Sequence, residues 1–257
     1  MTQPISFERA ADYYDRTRAL DPESQAAVTR LLVAEIGGRD PVLELGIGTG
    51  RIGLPVARAG IELAGIDISP AMLGRLRVNS EGTSLPAVCA DATRLPFAKG
   101  SFGAAYACHV LHLIPDWPTV LAEVVRVLRP GGVFVNDIGG WRQETGPWME
   151  LLERFAAEAG FELRPPGTDR SEEVDQVLAG LGATPRALAT IPRDRDWTYE
   201  ETVRSLEEGL WSLTWQVDVP TRRRAAAATR EWAEQRFGDL SQSFTSKSTI
   251  SWRAYDL

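Results

Sequence analysis

The chain has 257 residues, enough for one α/β domain with an elaboration or for two small domains. A formal net charge of −7 argues against a mainly electrostatic nucleic-acid binder, which carries a basic balance. The two cysteines, Cys89 and Cys108, form neither a C-x-x-C nor a zinc-type His/Cys spacing, and no apolar run is long enough to span a bilayer.

The first residues, Met-Thr-Gln-Pro-Ile-Ser-Phe-Glu-Arg, lack the charged-then-apolar pattern of a secretion signal, so a reducing, cytoplasmic setting is expected. Residues 5–18 and 24–36 read as helices, the second with an apolar face of Ala27, Val28, Leu31, Leu32 and Ile36. Residues 41–45 read as a buried strand. Glycines follow at 46, 48 and 50, where the missing Cβ lets backbone turn tightly and approach a ligand. A helix from about 51 to 59 then offers its N-terminus to a carboxylate or phosphate. An ordinary glycine-rich βα turn is the plain alternative. Gly48-Thr-Gly50-Arg-Ile-Gly53 also matches the dinucleotide fingerprint literally. Against that match, Gly46 is the glycine next to the strand, and Glu44 sits inside it.

A second strand, 61–67, ends in Asp67, and Ser69-Pro70 open a helix to about Val78 as N-cap and N1. Ligands of open α/β sheets sit at the carboxyl ends of strands, where Asp67 could accept from two ribose hydroxyls. It reads alternatively as a cap or loop acid. Strand three, about 86–91, ends in Asp91, which suits either a purine amino group or a turn. Strand four, 102–108, a helix from Asp116 to Leu128, the turn Pro130-Gly131-Gly132 and strand five, 133–138, complete an alternation that argues for a parallel sheet covered by helices on both faces.

Beyond Gly140 the pattern changes. Helices are expected at 147–159, 171–181, 198–212 and 220–236, with the breaker Arg164-Pro-Pro-Gly167 between the first two and a strand at 186–191. The tail alternates, with Phe244, Ile250, Trp252 and Ala254 on one face, as a period-2 strand of the same sheet would. Trp141, Trp148, Trp197, Trp211 and Trp215 could wall a substrate pocket or fill the core of a cap. Arg222, Arg223, Arg224 and Arg230 read as a solvated helix face before a phosphate grip. His109 and His112 are the only histidines, each either a base for an acceptor or a packed side chain.

Five segments stand in the order found in class I S-adenosylmethionine-dependent methyltransferases. They are Glu44-Leu-Gly-Ile-Gly-Thr-Gly50, Gly65-Ile-Asp-Ile-Ser69, Ala90-Asp-Ala-Thr-Arg-Leu-Pro-Phe97, Ser101 through His112, and Val127-Leu-Arg-Pro-Gly-Gly132. The chain most resembles the small-molecule branch called type 11, closely over residues 7–140 and in outline over 184–257. The resemblance implies a Rossmann-like class I fold: a mostly parallel seven-stranded sheet with helices on both faces and a helical cap after strand five. As one domain it divides into N-terminal lid helices (1–40), a cofactor-binding core (41–140), a cap with strand six (141–236) and a last strand (237–257).

For matched positions the resemblance implies roles. Gly46, Gly48 and Gly50 would pass under the methionine part of S-adenosylmethionine, and Glu44 would steady its ammonium. Asp67 would hold the ribose diol, Ile68 would flank the adenine, and Asp91 and Ala92 would face its amine. Cys108 and His109 would line the sulfonium side, with His109 the candidate catalytic group. Tyr14 and Arg18 would close over the cofactor from a lid helix, Arg18 pairing with its carboxylate. The expected activity is in-line transfer of the methyl group to a small-molecule acceptor, without a metal and without nucleic-acid or membrane partners. The Asn-Pro-Pro-Tyr type signature of amino-group methylation on nucleic acid or protein is absent. A nicotinamide-dependent oxidoreductase and a non-catalytic S-adenosylmethionine-binding module are the competing readings.

Overall fold

The computed structural model describes residues 4–137 and 146–257. A 3-10 turn, Glu8–Ala10, precedes α1 (Tyr14–Arg18) and α2 (Pro22–Ile36). The sequence predicts one helix over 5–18, but this stretch has no continuous apolar stripe and coils only in short pieces held by side-chain bonds. Helix α2 starts where its chemistry dictates: Asp21 accepts from the Ser24 N–H at 2.8 Å, with Pro22 at the first helical position.

Strand and helix then alternate: β1 (Val42–Leu45), α3 (Gly53–Arg58), β2 (Leu63–Asp67), α4 (Pro70–Asn79), β3 (Ala87–Cys89), β4 (Phe102–Ala107), α5 (Trp117–Val127) and β5 (Leu128–Asp137). The elements after the undescribed segment are α6 (Pro147–Ala159), α7 (Ser171–Gly180), β6 (Thr184–Ala187), β7 (Ile191–Thr198), α8 (Tyr199–Glu208), α9 (Val219–Phe237), β8 (Ser243–Ile250) and β9 (Trp252–Asp256).

Seven strands form one sheet in the order β3-β2-β1-β4-β5-β9-β6. The first five are parallel, and β9 runs antiparallel to both neighbours, Val135 facing Ala254 and Arg186 facing Ala254. Strand order reverses between β1 and β4, and the crevice beyond their carboxyl ends is where such sheets bind ligands. Both faces are covered. One layer gathers Leu43, Leu45, Ala105 and Phe134 with the α5 stripe Val120, Leu121, Val124 and Val127; the other gathers Val42, Tyr106, Val135 and Trp252 with Val28, Leu32 and Ile36 of α2. Each fully buried aliphatic side chain contributes about 1.5–3 kcal/mol.

The expected terminal strand is two strands. The chain breaks at Ser251: β9 joins the sheet, whereas β8 pairs with β7 in a separate two-stranded ribbon. The sequence suggests a strand at 186–191 because Ile191-Pro-Arg-Asp-Arg-Asp alternates charges, not apolar residues, and so hides β7.

The chain divides into two compact units. One comprises residues 1–139, 166–191 and 250–257 and holds the seven-stranded sheet, including α7 and β6; the other comprises 140–165 and 192–249. In the second unit, Trp148, Trp197 and Trp211 pack ring to ring, with Trp148 and Trp211 each 5.3–5.9 Å from a neighbouring indole, beside Leu152, Phe155 and Leu206. These tryptophans form that unit's core, and Trp215 donates its indole N–H to the Gly209 carbonyl at 2.7 Å. Trp141 lies outside the described residues. Arg222, expected on a solvated face, is buried and donates to the Glu207 carbonyl at 2.9 Å; Arg230 pairs with Glu200 and Glu207.

Candidate active site

The loop after β1 carries Gly46, Gly48 and Gly50, all at positive φ, between 56° and 84°. That region is nearly closed to residues with a Cβ. At Gly46 the exclusion is also steric: an added Cβ would lie 2.5 Å from Val110 Cγ2. The loop is pinned to the next strand through Asp67, which accepts from the Gly48 N–H (2.9 Å, Oδ2) and the Ser69 N–H (2.8 Å, Oδ1). Burial raises the Asp67 pKa, and the charge of nearby Glu8 adds to it, against the lowering effect of those two N–H donors. Each oxygen keeps a second lone pair for a ligand.

Gly53, the last glycine of the dinucleotide-like string, has a different task. A Cβ there would fall 2.2 Å from Glu44 Oε2, so Gly53 makes room for the buried acid. Glu44 accepts from the Tyr106 hydroxyl at 2.9 Å, and burial pushes its pKa up to about 8. This seat explains both the acid within β1 and the third glycine without a pyrophosphate.

Ile68, just past the end of β2 and next to Asp67 in the chain, is 40% exposed and offers an apolar rim; Val88, within β3, is 45% exposed. Ala92 is buried. Asp91 is exposed and accepts from the Thr93 N–H and hydroxyl, both at 2.8 Å, through Oδ1 alone. A flat base fits such a rim, and the Asp67 carboxylate beside it suits a pair of hydroxyls; the residues fit a nucleoside-type cofactor.

At the ends of β4 and β5 the chemistry differs. His109 has φ +58°, the only described non-glycine residue in the left-handed region. Such conformations cost about 1–3 kcal/mol and persist only where the surroundings over-determine them. Asp137 supplies the constraint: Oδ1 accepts from the His109 backbone N–H at 2.8 Å, and Oδ2 lies 3.2 Å from Nδ1. Burial raises the Asp137 pKa to about 6, so the carboxylate is ionised at neutral pH. The His109 ring is 43% exposed, Asp137 only 7%. His112 stands edge-on to His109, ring centres 6.3 Å apart; burial, then the neighbouring His109, lowers its pKa to about 4, which keeps it neutral.

Arg51 completes the group. Its Nη2 lies 4.0 Å from Cys108 Sγ, and Tyr14 is close enough to act on its charge. Burial would lower its pKa, but Tyr14, Cys108 and Asp137 outweigh that and raise it. The Cys108 thiol is pushed well up, by burial first and Asp137 second, so it is no nucleophile at neutral pH. Among the described residues, Cys108, His109 and Asp137 are the one trio whose ligand-type atoms lie within 4.8 Å of one another. The Arg51 guanidinium lies beside this trio, at the Cys108 thiol.

The N-terminal segment lies over this crevice by polar contacts. Glu8 accepts from the Ser69 hydroxyl and, at 3.3 Å, the Ala71 N–H; Asp12 pairs with Arg75. Asp15 accepts from Thr49 Oγ1 at 2.5 Å and Asn79 Nδ2 at 3.1 Å. Tyr14 packs edge-on against Phe7, and the charge of Arg18 reaches His112. The sequence reading missed Arg51, Asp137 and Asp15. Asp137 carries the same signal as Asp67, an acid at the carboxyl end of a parallel strand; Arg51 looked like an ordinary helix start.

Comparison with known proteins decides the family. Residues 43–136 match a methyltransferase domain family. A demethylmenaquinone methyltransferase of Streptomyces avermitilis is 38% identical over 133 residues, covering 50% of this chain and 56% of that protein. The demethylmenaquinone methyltransferase of Renibacterium salmoninarum is 35% identical over 218 residues, 80% of this chain and 88% of that protein. The chain belongs to the class I S-adenosylmethionine-dependent methyltransferases. The YcgJ protein of Bacillus subtilis has the same fold, with TM-score 0.59 at 17% identity over 90% of this chain and 98% of that one. The chain is therefore a methyltransferase, its methyl donor S-adenosylmethionine, in a family of small-molecule enzymes. No described helix is long and apolar enough to cross a membrane.

Proposed function

We propose that this methyltransferase binds S-adenosylmethionine across the glycine loop and transfers the methyl group in line to a small acceptor held beside His109. The carrying observation is the loop itself: three glycines at positive φ, tied by Gly48 to Asp67 at the point where strand order reverses. In this reading Gly46, Gly48 and Gly50 lie under the methionine part, and Glu44 answers its ammonium from below. Asp67 takes the ribose hydroxyls. Ile68 flanks the adenine, whose amine meets Asp91 and Ala92. Cys108 and His109 face the sulfonium, while Tyr14 and Arg18 cover the site. The donor brings an already activated methyl group; the protein's part is to hold an acceptor atom about 3 Å from it, aligned, and to exclude water. Two free cysteines and the bacterial relatives support a reducing, bacterial cytoplasm as the setting.

The test is calorimetry with S-adenosylhomocysteine in the presence of EDTA. Tight binding is expected, and Asp67→Ala should weaken it by roughly 1–3 kcal/mol, since two hydroxyls lose a charged acceptor. Unchanged affinity in Asp67→Ala removes that carboxylate from the site. Stronger binding of NAD than of S-adenosylhomocysteine would restore the oxidoreductase reading.

A further inference from the structure

Cys108, His109 and Asp137 bring a sulfur, a nitrogen and an oxygen of ligand type within 4.8 Å of one another. Chain order alone would not put them together. Consecutive side chains of an extended segment point to opposite sides. β4 ends at Ala107, however, and His109 has φ +58°, so the chain leaves the extended form directly after Cys108. That turn gathers two consecutive ligand-type side chains on the side of Asp137. The His109 backbone N–H, donating to Asp137 Oδ1 at 2.8 Å, helps to hold it there.

We infer that Cys108, His109 and Asp137 form a binding site for one thiophilic divalent ion of the zinc class. The inference goes beyond methyl transfer and does not depend on it. The spacing suits such an ion. His109 Nδ1 and Asp137 Oδ2 are 3.2 Å apart, and bonds of about 2.0–2.1 Å at a tetrahedral angle set nitrogen and oxygen ligands about 3.3 Å apart. The outer contacts suit it as well. Asp137 Oδ1 accepts from the His109 N–H, which orients the carboxylate and turns Oδ2 to the ion. Arg51 Nη2 donates toward Cys108 Sγ at 4.0 Å, a contact that steadies a thiolate. On binding, the ion replaces the thiol proton, which goes to solvent, and the imidazole offers its unprotonated nitrogen.

The donor set selects the metal. Sulfur and imidazole beside one carboxylate suit zinc, whereas magnesium and calcium take shells of oxygen. A thiolate and the Asp137 carboxylate balance the two positive charges of the ion. The Arg51 guanidinium then leaves one positive charge in excess, 4.0 Å from the sulfur. That surplus makes the site weaker than a closed structural centre and suits an ion that comes and goes. Three protein ligands also leave the fourth tetrahedral position open, as in zinc sites that take a further ligand. The His109 ring is 43% exposed, which gives the ion a way in.

The probe is Co²⁺, which substitutes for Zn²⁺ in tetrahedral sites and is coloured there. Sulfur-to-cobalt charge transfer reports a bound thiolate, and strong visible absorption reports four-coordination. No turnover is required, and the full chain is used without an affinity tag. Cys89→Ser removes the exposed cysteine, so that Cys108 is the only thiol left. Titrating this variant with Co²⁺ should raise both signals to saturation at one ion per chain, and Zn²⁺ should then displace the cobalt and bleach them. In the otherwise native chain, Cys108→Ser should lose the charge-transfer band. His109→Gln and Asp137→Asn should each weaken Zn²⁺ by roughly ten-fold or more in the same competition. Circular dichroism certifies that these variants fold; if one does not, the Cys89→Ser titration decides alone. The proposal is overturned if the Cys89→Ser chain gives no saturable thiolate band, if the band survives in Cys108→Ser, or if a folded His109→Gln or Asp137→Asn binds Zn²⁺ as tightly as the wild type. Calorimetry of S-adenosylhomocysteine in EDTA excludes the ion, so it tests the donor reading separately and either can fail while the other stands.

Discussion

The two ends of the crevice are built from different materials. At the β1–β2 end, ligand geometry is set by backbone: glycines at positive φ, an N–H pinned to Asp67, an exposed apolar rim. At the β4–β5 end it is set by side chains: a histidine held at its backbone N–H, a buried carboxylate and a half-buried guanidinium. Backbone sites tolerate little change and suit a constant ligand. Side-chain sites can be rewritten residue by residue and suit a ligand that differs between relatives. The two halves should therefore fail independently.

The largest expected effect is on turnover. With an acceptor the wild type methylates, His109→Gln should lower kcat by roughly 10²-fold or more, the usual worth of a general base, and more than it lowers the affinity for S-adenosylhomocysteine. Equal losses in both would merge the halves. Next is Gly46→Ala, which strains the backbone at φ +65° and drives a methyl group into Val110. A destabilisation of about 1–3 kcal/mol is expected, with loss of donor binding, read by thermal unfolding with and without S-adenosylhomocysteine.

These two positions were not equally legible in sequence. Gly46 declares itself, because a glycine next to a buried strand has few other reasons to be there, and the alternation of elements announced the sheet. Helix 147–159 was readable to the residue from its apolar spacing and its flanking Pro147 and Gly160. Asp137 offered only the general signal of an acid at a strand's carboxyl end, since its role depends on β5 lying beside β4 with the register that sets Asn136 opposite Ala107. Arg51 and Asp15 act through contacts with Cys108, Tyr14 and Thr49 that no local pattern encodes. The ribbon of β7 and β8 was hidden for the same reason: its strand pairing is long-range and its alternation is in charge.

Glu44 sharpens the comparison from beneath. Its pKa is near 8 in the folded chain against 4.5 in the unfolded one, through burial. Between those values the native state holds a proton that the unfolded state has lost, so this acid makes stability fall as pH rises from about 4.5 to 8. Glu44→Gln should flatten that slope in pH-dependent thermal unfolding. If Glu44 also answers the donor's ammonium, binding must ionise it. Calorimetry near neutral pH, in two buffers of different ionisation enthalpy, should then show proton release in the wild type and none in Glu44→Gln. Proton release that persists in the variant assigns the proton to another group.

The smallest effects belong to the N-terminal segment, and there too the contacts differ in kind. Asp12 meets Arg75 with 87% of its side chain exposed, and such ion pairs are worth about 0–1 kcal/mol and are screened by salt. Asp15 instead ties Thr49 of the glycine loop to Asn79, whose amide also reaches the Thr49 carbonyl at 3.0 Å. Asp12→Asn should leave the dissociation rate of S-adenosylhomocysteine within about twofold and insensitive to salt. Asp15→Asn replaces one acceptor oxygen with a donor at a point where two donors converge, and should speed dissociation several-fold, by the roughly 1 kcal/mol a hydrogen bond contributes. Stopped-flow displacement measures both. Equal rates in the two variants would mean that the segment is held by its exposed charges rather than by its grip on the glycine loop.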